Sequence, residues 1–382
     1  MQRKIVFINQ ATGYLTIDII NAFSTVFDKV ALITGSIRIQ DTRLNSKVKV
    51  TKIIKYNRGG DIRKGCSWLF GTLQIWFLLM TRYKDFERFY FTIPPTAYLL
   101  ALHQKTPYSV AVFDLYPEAL LAKRFSKLSM GIFKWWADQN RRIFGRARML
   151  FTLSDDMHKQ IKKYSPDSDI RVIPNWSAFS RLKRIEKHQN TLIQKNGLQG
   201  KFVVQYSGNI GASHNVEVLI DVAERLIQKK DILFLIIGRG ERSEVIGELI
   251  GRKNLTNCLL LPFRKDEELY DSLCAADLAV ITLDDRLPDI SVPSKIYNIM
   301  AAGTPIMAIA SPVSGVAGII SRHKIGKVID RRDINGMCQF IEKLINNPVQ
   351  WKLLSDNSLR ASQDYSSTNA FYYLNYYNEK GS

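Results

Sequence analysis

Short apolar runs alternate with longer helical patterns along the first half of the chain. Polar, glycine or proline residues bound each run, which is typical of strands buried inside a sheet. The predicted strands are Ile5–Ile8, Val30–Thr34, Val48–Ile54, Phe89–Ile93, Ser109–Phe113, Met149–Leu153 and Arg171–Pro174. The predicted helices are Ile19–Phe27, Leu69–Met80, Tyr98–His103 and Phe125–Gly145, and another starts after Ser154. This alternation predicts a parallel sheet covered by helices on both faces.

The same pattern restarts at Lys201, after a polar and basic segment that predicts a connector. The predicted strands here are Phe202–Tyr206, Ile232–Ile237, Leu259–Leu261, Leu278–Thr282 and Ile306–Ala310. The chain length of 382 residues also suits two α/β domains better than one. We therefore predict a first domain at residues 1–178, a linker at 179–200, a second domain at 201–355 and a C-terminal helical segment at 356–382.

Charge is distributed unevenly between the two halves. Residues 1–180 contain 28 Lys and Arg against 13 Asp and Glu, whereas the rest of the chain contains 26 against 22. A basic surface attracts phosphate groups of nucleic acids, anionic lipids or diphosphate substrates. No nucleic-acid-binding signature is present in this half, so the charge favours an anionic membrane surface over nucleic acid.

Two aromatic segments strengthen the membrane hypothesis. The predicted helix at Phe125–Arg148 mixes cations with Phe133, Trp135 and Trp136, and the run Trp68–Met80 is strongly apolar. Together they predict an interfacial membrane dock, with aromatic side chains at headgroup depth. The alternative is an ordinary helix with one core face and one solvated basic face. The run at Trp68–Met80 falls short of the roughly 20 residues that span a bilayer.

The cysteines and the N-terminus bear on the compartment. Cys66, Cys258, Cys274 and Cys338 have no paired spacing, which favours buried thiols in a reducing compartment over disulfides or a metal site. The first residues have no cleavable signal character. We therefore expect a cytoplasmic location, peripheral on the inner face of the cell membrane.

The segment Ser291–Pro305 carries the most specific chemistry. Its Ser-Val-Pro-Ser-Lys start has helix-capping residues, and Gly303 is a natural helix stop. Lys295 lies at the amino end of this helix, where a cation opposes the helix dipole and therefore needs another reason to be present. A departing diphosphate supplies one, because negative charge grows on its oxygen as a sugar–phosphate bond breaks. A solvated lysine in an ordinary αβ unit remains the alternative.

Glycine-containing turns follow two strands of the second domain. The loop from Gly208 through Asn209 to Gly211 precedes a helix, so its backbone amides can approach a diphosphate. Gly238 and Arg239 begin a similar turn, for which a structural role is an equal alternative. The Rossmann G-x-G-x-x-G pattern is missing, which argues against a nicotinamide dehydrogenase.

These motifs resemble the donor-binding signature of glycosyltransferase family 4, and the Ser-Gly-Asn-Ile-Gly loop resembles its bacterial surface-polysaccharide subgroup. The resemblance implies a GT-B fold, in which two Rossmann-like βαβ domains face each other across a cleft. It also implies a last helix that returns to the N-terminal domain. The expected activity is retaining transfer of a sugar from a nucleotide-sugar, most simply a UDP-sugar, to a lipid-diphosphate-linked saccharide.

The resemblance also implies roles for individual residues. Lys295 and Asp289 are the expected catalytic residues of the C-terminal domain. Of the family's pair of glutamates, the second aligns with Asn298 and the first with Ile290, so Asp289, one residue earlier, is the expected replacement for the first. The expected donor-binding residues are Gly208, Asn209, Gly211, Gly238, Arg239, Phe263, Arg264, Ser291, Ser294 and Asn298. Asn209 replaces the arginine that the family often has in this loop.

The N-terminal domain supplies the acceptor side of the expected site. The Asp-Leu-Tyr-Pro-Glu stretch from Asp114 to Glu118 follows a strand and resembles a pattern of the same subgroup. Asp114 is expected to position or deprotonate the acceptor hydroxyl, with a helix N-cap as the alternative. Gly13 is expected to let the first loop approach the ligands, and Glu118 to lie on the acceptor side.

No metal or other cofactor is expected. Asp284 and Asp285 are adjacent and do not form the D-x-D pattern of metal-using sugar transferases. Two rivals use the same scaffold: a nucleotide-sugar epimerase, and a catalytically silent binding protein that the Asn209 and Asn298 replacements would permit.

Overall fold

The computed structural model describes residues 2–57, 59–121, 130–180, 182–211, 214–283 and 292–379. The chain divides into an N-terminal unit, Met1–Ala178 with Ser367–Ser382, and a C-terminal unit, Phe179–Ser366. The strands of the N-terminal unit are β1 (Lys4–Ile8), β2 (Ala11–Thr12), β3 (Lys29–Thr34), β4 (Ser36–Ile37), β5 (Lys49–Lys52), β6 (Glu87–Phe91), β7 (Tyr108–Val112), β8 (Met149–Thr152) and β9 (Ile170–Val172). Its helices are α1 (Tyr14–Phe23), α2 (Asp61–Met80), α3 (Glu118–Leu121), α4 (Met130–Arg146), α5 (Asp155–Lys162) and, from the end of the chain, α14 (Ala370–Glu379), with a 3₁₀ helix at Ala97–His103.

A parallel sheet forms the centre of the N-terminal unit. Within the described residues it has seven strands in the order β5-β3-β1-β6-β7-β8-β9. Strand β1 pairs in parallel with both β3 and β6, and its residues Ile5–Ile8 are fully buried. Strands covered on both faces are read from sequence as continuous apolar runs, which is why the pattern of the first half predicts this sheet.

The last helix, α14, belongs to the N-terminal unit, in the position that the family resemblance implies. The Tyr377 ring packs edge-to-face on Phe23 of α1, with 5.2 Å between ring centroids. The Tyr373 ring lies 4.7 Å from that of Phe151 in β8. Both tyrosines are fully buried, so this tyrosine-rich stretch completes the core beside the sheet.

The C-terminal unit has its own parallel sheet. Its described strands run in the order β12-β11-β10-β13-β14-β15. They are β10 (Phe202–Asn209), β11 (Ile232–Arg239), β12 (Cys258–Pro262), β13 (Leu278–Thr282), β14 (Ile306–Ile309) and β15 (Gly326–Ile329). The helices are α6 (Thr191–Lys195), α7 (Glu217–Arg225), α8 (Ser243–Arg252), α9 (Asp266–Cys274), α10 (Lys295–Ala301), α11 (Gly315–His323), α12 (Ile334–Asn346) and α13 (Pro348–Asp364).

Helix α10 ends at the glycine that the sequence marks as its stop. Gly303 has φ +63°, a left-handed conformation that glycine adopts without strain. The Gly303 N–H donates to the Met300 carbonyl at 2.9 Å, and the Thr304 N–H donates to the Ile299 carbonyl at 3.2 Å. This pair of bonds is a Schellman motif, and it sets the point where the chain turns into β14.

The segment expected to be a linker, residues 179–200, packs on the C-terminal unit. The Arg184 guanidinium donates to the Ala302 carbonyl at 2.6 Å, the Gly303 carbonyl at 2.7 Å and the Ala276 carbonyl at 3.2 Å. A cation at a helix C-terminus also satisfies its unpaired carbonyls and the negative end of its dipole. Helix α13 also differs from the prediction, because it starts at Pro348 and stays with the C-terminal unit up to Asp364.

Replacing Arg184 by methionine is expected to destabilise the C-terminal unit by about 1.5–3 kcal/mol, because three buried carbonyls lose a charged donor. Urea unfolding measures this as a lower midpoint. Lys183→Met is the matched control, since Lys183 is the exposed neighbour. Equal midpoints for the two variants would show that residues 179–200 act as a connector without a structural role.

Helix α4 has one core face, so only part of the expected aromatic dock is at the surface. Phe133 and Trp136 are buried, whereas Trp135 is half exposed. Trp136 stacks on Tyr116, whose ring meets Trp68 of α2 edge-on. Phe133 and Trp136 therefore hold the unit together and cannot lie at headgroup depth. Residues 125–129 of the predicted helix lie outside the described residues.

Within the ranges that the structure describes, no helix is both long and apolar enough to cross a membrane.

Candidate functional site

Three neighbouring strands of the C-terminal unit end in register at one edge of the sheet. Gly208 of β10 lies opposite Gly238 of β11, and Gly238 lies opposite Pro262 of β12. Asn209 and Arg239 form the next pair along the first two strands. The carboxyl edge of an open α/β sheet is where such folds bind ligands, so the register brings the predicted glycine turns to the expected place.

Close backbone packing explains Gly238 and also Gly240, two residues later. A Cβ atom on Gly238 would lie 2.2 Å from the Gly208 carbonyl oxygen, and a Cβ on Gly240 would lie 2.3 Å from the Ile210 carbonyl oxygen. Gly240 also has φ +154°. Glycine is therefore required at the end of β11 and in the turn that follows, because the backbone of the β10 loop lies directly against both positions. This structural requirement holds with or without a ligand.

The β10 loop presents a small gap beside a lysine. A Cβ on Gly208 would lie 3.7 Å from the Lys295 ammonium nitrogen. The Asn209 side chain is exposed. The backbone carbonyl of Asn209 accepts a 2.7 Å hydrogen bond from the Tyr206 hydroxyl. A Cβ on Gly211 would crowd the Asn209 amide at 2.8 Å. The Tyr206 hydroxyl therefore holds the loop in place. Because Gly208 has no side chain, the space between this residue and the Lys295 ammonium stays open.

Lys295 is the cation of this site. Its ammonium lies 4.5 Å from the centroid of the Tyr206 ring, an arrangement in which the ring face attracts the charge. Among the described residues, the structure gives it no carboxylate within ion-pair distance. Burial lowers the pKa of Lys295 to about 8, so the ammonium form still predominates at neutral pH.

Ser294 and Asn298 flank Lys295 on α10. Ser294 is the N-cap residue, although its side chain makes no capping hydrogen bond, and it is exposed. Asn298 is half buried and lies three residues after Lys295, which puts both side chains on one helix face. The structure thus groups Gly208, Lys295 and the start of α10.

Phe263 and Arg239 form a second group at the same edge. The Arg239 guanidinium lies 4.7 Å from the centroid of the Phe263 ring, and both side chains are exposed. Arg264 is not part of this group. It lines a cavity of about 290 Å³ with residues of α6 and α9, including Lys195 and Glu267.

The expected acceptor residues lie at the carboxyl edge of the N-terminal sheet. Asp114 comes two residues after β7, is exposed, and donates its N–H to the Thr92 hydroxyl at 3.1 Å. Glu118 opens α3 and accepts a hydrogen bond from the Tyr164 hydroxyl. Burial, followed by the Glu118 interaction, raises the pKa of Tyr164. Helix α3 begins four residues after Asp114, a spacing that does not suit Asp114 as its N-cap.

Gly13 is the N-cap residue of α1, and a Cβ there would meet no atom within 4 Å. Its φ of −111° is open to any residue. The space beside Gly13, and not its backbone conformation, is therefore the feature that fits a close approach by a ligand.

Two predicted site residues, Asp289 and Ser291, lie outside the described residues, as do Asp284 and Asp285. Within the ranges that the structure covers, no group of His, Cys, Asp and Glu side chains has the arrangement of a metal site.

Tyr206 is a site residue that the sequence analysis does not single out. It lies in an apolar strand, where a tyrosine ordinarily means core packing, and burial raises its pKa to about 12. The sequence feature that could have pointed to Tyr206 is its position on strand β10, two residues before the glycine loop. The contact with Lys295, however, joins residues distant in the chain, and no local pattern reveals it.

Residues 188–363 match the family model described as glycosyl transferases group 1. This matched range, somewhat less than half of the chain, is similar to that family. This confirms the family resemblance drawn from the sequence. The matched range includes every described element of the site at the carboxyl edge of the C-terminal sheet.

Curated proteins that are similar to this chain are bacterial. It is 24% identical over 234 residues to a protein of Pseudomonas aeruginosa described as a probable glycosyltransferase, WbjE, covering 61% of this chain and 58% of that protein. It is 27% identical over 150 residues to the protein of Escherichia coli K12 that is named "Putative colanic acid biosynthesis glycosyl transferase WcaI", covering 38% of this chain and 36% of WcaI. The chain thus spans between about a third and three fifths of these two relatives.

Solved structures confirm the predicted GT-B fold class. The structure of Anabaena HepE in complex with UDP-glucose aligns with a TM-score of 0.67 at 15% identity, covering 97% of each chain. At this identity the likeness shows the fold alone.

Proposed function

We propose that this protein is a retaining glycosyltransferase of bacterial surface-polysaccharide biosynthesis. It moves a sugar from a nucleotide-sugar, most simply a UDP-sugar, to a lipid-diphosphate-linked saccharide. The observation that carries the proposal is the Lys295 ammonium, held over the Tyr206 ring beside the gap at Gly208. The UDP-glucose complex of HepE and the names of WbjE and WcaI support the donor class and the pathway type.

The chemistry follows from the charge at Lys295. The acceptor hydroxyl attacks the anomeric carbon while the bond from that carbon to the diphosphate oxygen breaks, through an oxocarbenium-like transition state. Negative charge then grows on the departing phosphate, and the Lys295 ammonium stabilises it. The departing phosphate accepts the hydroxyl proton on the same face of the sugar, so the anomeric configuration is retained.

Other residues of the site bind and orient the substrates. In this proposal the exposed pair of Arg239 and Phe263 receives the nucleobase, and Asn298 bonds the ribose hydroxyls. Asp289 contacts the sugar, and Asp114 positions the acceptor hydroxyl. Lys295 supplies the charge that a metal ion supplies in other sugar transferases, so we propose that transfer requires no metal.

Thermal unfolding of the purified protein tests the donor site. UDP at about 100 times its Kd is expected to stabilise the protein by about 2.7 kcal/mol, whereas GDP, ADP and NAD are expected to do so much less. Magnesium is expected to leave the UDP shift unchanged. A shift with NAD, or with no nucleotide, would contradict the proposal. Conversion of a UDP-sugar into its epimer, still bound to UDP, without acceptor would point to an epimerase.

A further inference from the structure

Helix α2 presents a large apolar face to solvent. No charged residue occurs between Gly65 and Thr81, which is most of the helix. The following side chains are each more than half exposed: Leu69 (58%), Phe70 (54%), Leu73 (51%), Trp76 (52%), Phe77 (60%) and Met80 (60%). Their spacing of three and four residues puts them along one side of the helix. We call these six residues the α2 stripe. A contiguous apolar surface of this kind marks an interaction site.

The opposite side of α2 fixes the helix to the N-terminal unit. Trp68, Ile75 and Leu79 are buried, and Trp68 belongs to an aromatic cluster with Tyr116 and Trp136. Gly71 packs directly against the Gln10 side chain. Because this side is packed in the core, only the α2 stripe is available to a partner. The helix axis must then lie parallel to the partner's surface.

Lysines of the edge strand β5 border the helix. The side-chain amide oxygen (Oε1) of Gln74 in α2 accepts a 2.8 Å hydrogen bond from the Ile54 N–H, just beyond β5. Arg82, after the end of α2, donates to the Thr51 hydroxyl of β5 at 3.4 Å. These bonds bring the β5 segment alongside the stripe. Its exposed lysines, which we call the β5 lysines, are Lys47, Lys49, Lys52 and Lys55.

We propose that the α2 stripe inserts into the headgroup and upper acyl region of an anionic lipid monolayer, with the β5 lysines against the headgroups. This deepens the proposed function, because it names the surface through which the enzyme would meet a lipid-linked acceptor. An apolar face bordered by cations is the pattern of helices that lie in a membrane interface. A second copy of the chain fits less well, because pairing two such faces would bring two sets of lysines together.

Vesicle co-sedimentation of the full-length protein tests the inference. Wild type is expected to bind vesicles of equal parts phosphatidylcholine and phosphatidylglycerol. The Trp76→Ser/Phe77→Ser double variant is expected to bind at least tenfold more weakly, because two large side chains lose their burial in lipid. The matched control is Val349→Ser/Leu353→Ser, which removes exposed apolar side chains from α13 of the C-terminal unit and is expected to bind as wild type.

Variants of the β5 lysines separate the contribution of apolar insertion to vesicle binding from the contribution of charge. A Lys49→Gln/Lys52→Gln/Lys55→Gln variant is expected to lose about tenfold or more of its binding to anionic vesicles, and to match wild type on phosphatidylcholine alone. Equal binding by wild type and the Trp76→Ser/Phe77→Ser variant would overturn the inference. A wild-type dimer that this variant makes monomeric, without vesicle binding, would also overturn it in favour of self-association.

The same samples separate this inference from the proposed function. The UDP shift in thermal unfolding is expected to be equal in wild type and in the Trp76→Ser/Phe77→Ser variant, which also shows that the variant folds. Vesicle binding without any UDP shift would support the membrane surface and refute the donor site. A UDP shift without vesicle binding would support the donor site and refute the membrane surface.

Discussion

Replacing Lys295 by alanine is expected to lower kcat by about 10²–10³-fold, the usual cost of removing one group that stabilises charge developing in a transition state. The lysine is already positioned over the Tyr206 ring, 3.7 Å from the place where a Gly208 side chain would begin. Little reorganisation is therefore needed when the diphosphate departs. Turnover of a UDP-sugar, by transfer to acceptor or by slow hydrolysis, measures the effect.

The control for this variant is Lys327→Ala, which removes an exposed lysine from β15 of the same unit. It is expected to keep wild-type turnover. Both variants are expected to fold, because Lys295 forms no ion pair among the described residues. Unchanged turnover in Lys295→Ala would favour the silent binding protein. Lost turnover with lost folding would instead make Lys295 a structural residue.

The pH profile gives an independent check on the same residue. Burial lowers the pKa of Lys295 from its ordinary 10.5 to about 8, so the ammonium loses its proton as the pH rises through that value. Because kcat/KM reports groups of the free enzyme, it is expected to fall above about pH 8 in wild type. Lys295→Ala is expected to lack this alkaline limb. A limb that persists in the variant would belong to another group.

The sequence predicts the elements of this fold well where local chemistry decides them. The buried parallel strands follow from continuous apolar runs, and the end of α10 follows from Gly303 at its left-handed position. The role of Arg184 could not be predicted in the same way. Its partners, the carbonyls of Ala276, Ala302 and Gly303, lie about a hundred residues away, and a polar, basic segment has the composition of a linker.

In the candidate site, too, the sequence predicts what local motifs determine and misses what depends on packing between distant elements. Family resemblance points to Lys295 and the glycine loop, because those motifs are local. It cannot reveal that the Tyr206 ring holds the lysine or that Arg264 lines a different cavity, because both depend on packing between distant elements. The amphipathic pattern of α4 likewise does not show which aromatic faces the core, and the structure buries Trp136 while leaving Trp135 at the surface.

Replacing Gly238 by alanine is expected to remove UDP binding and to destabilise the C-terminal unit by about 4 kcal/mol or more, among the largest effects of single substitutions. The new methyl group would lie 2.2 Å from the Gly208 carbonyl oxygen and 2.9 Å from the Ile210 side chain. Backbone cannot yield as a side-chain end can, so β10 and β11 must separate where Gly208 and Gly238 pair. The gap beside Lys295 would be lost together with the pairing of Gly208 and Gly238.

Urea unfolding and the UDP thermal shift measure the two parts of this prediction, with Gly251→Ala as the matched control. Gly251 lies in α8, and a Cβ there would meet nothing within 4 Å, so alanine is expected to be neutral or to stabilise by up to about 1 kcal/mol through helix propensity. If Gly238→Ala unfolds with wild-type stability and still binds UDP, then the crossing of the β10 loop over the β11 turn is not what positions the site. If it keeps its stability but loses UDP, the glycine serves the ligand directly. The close packing predicts that both properties fall together.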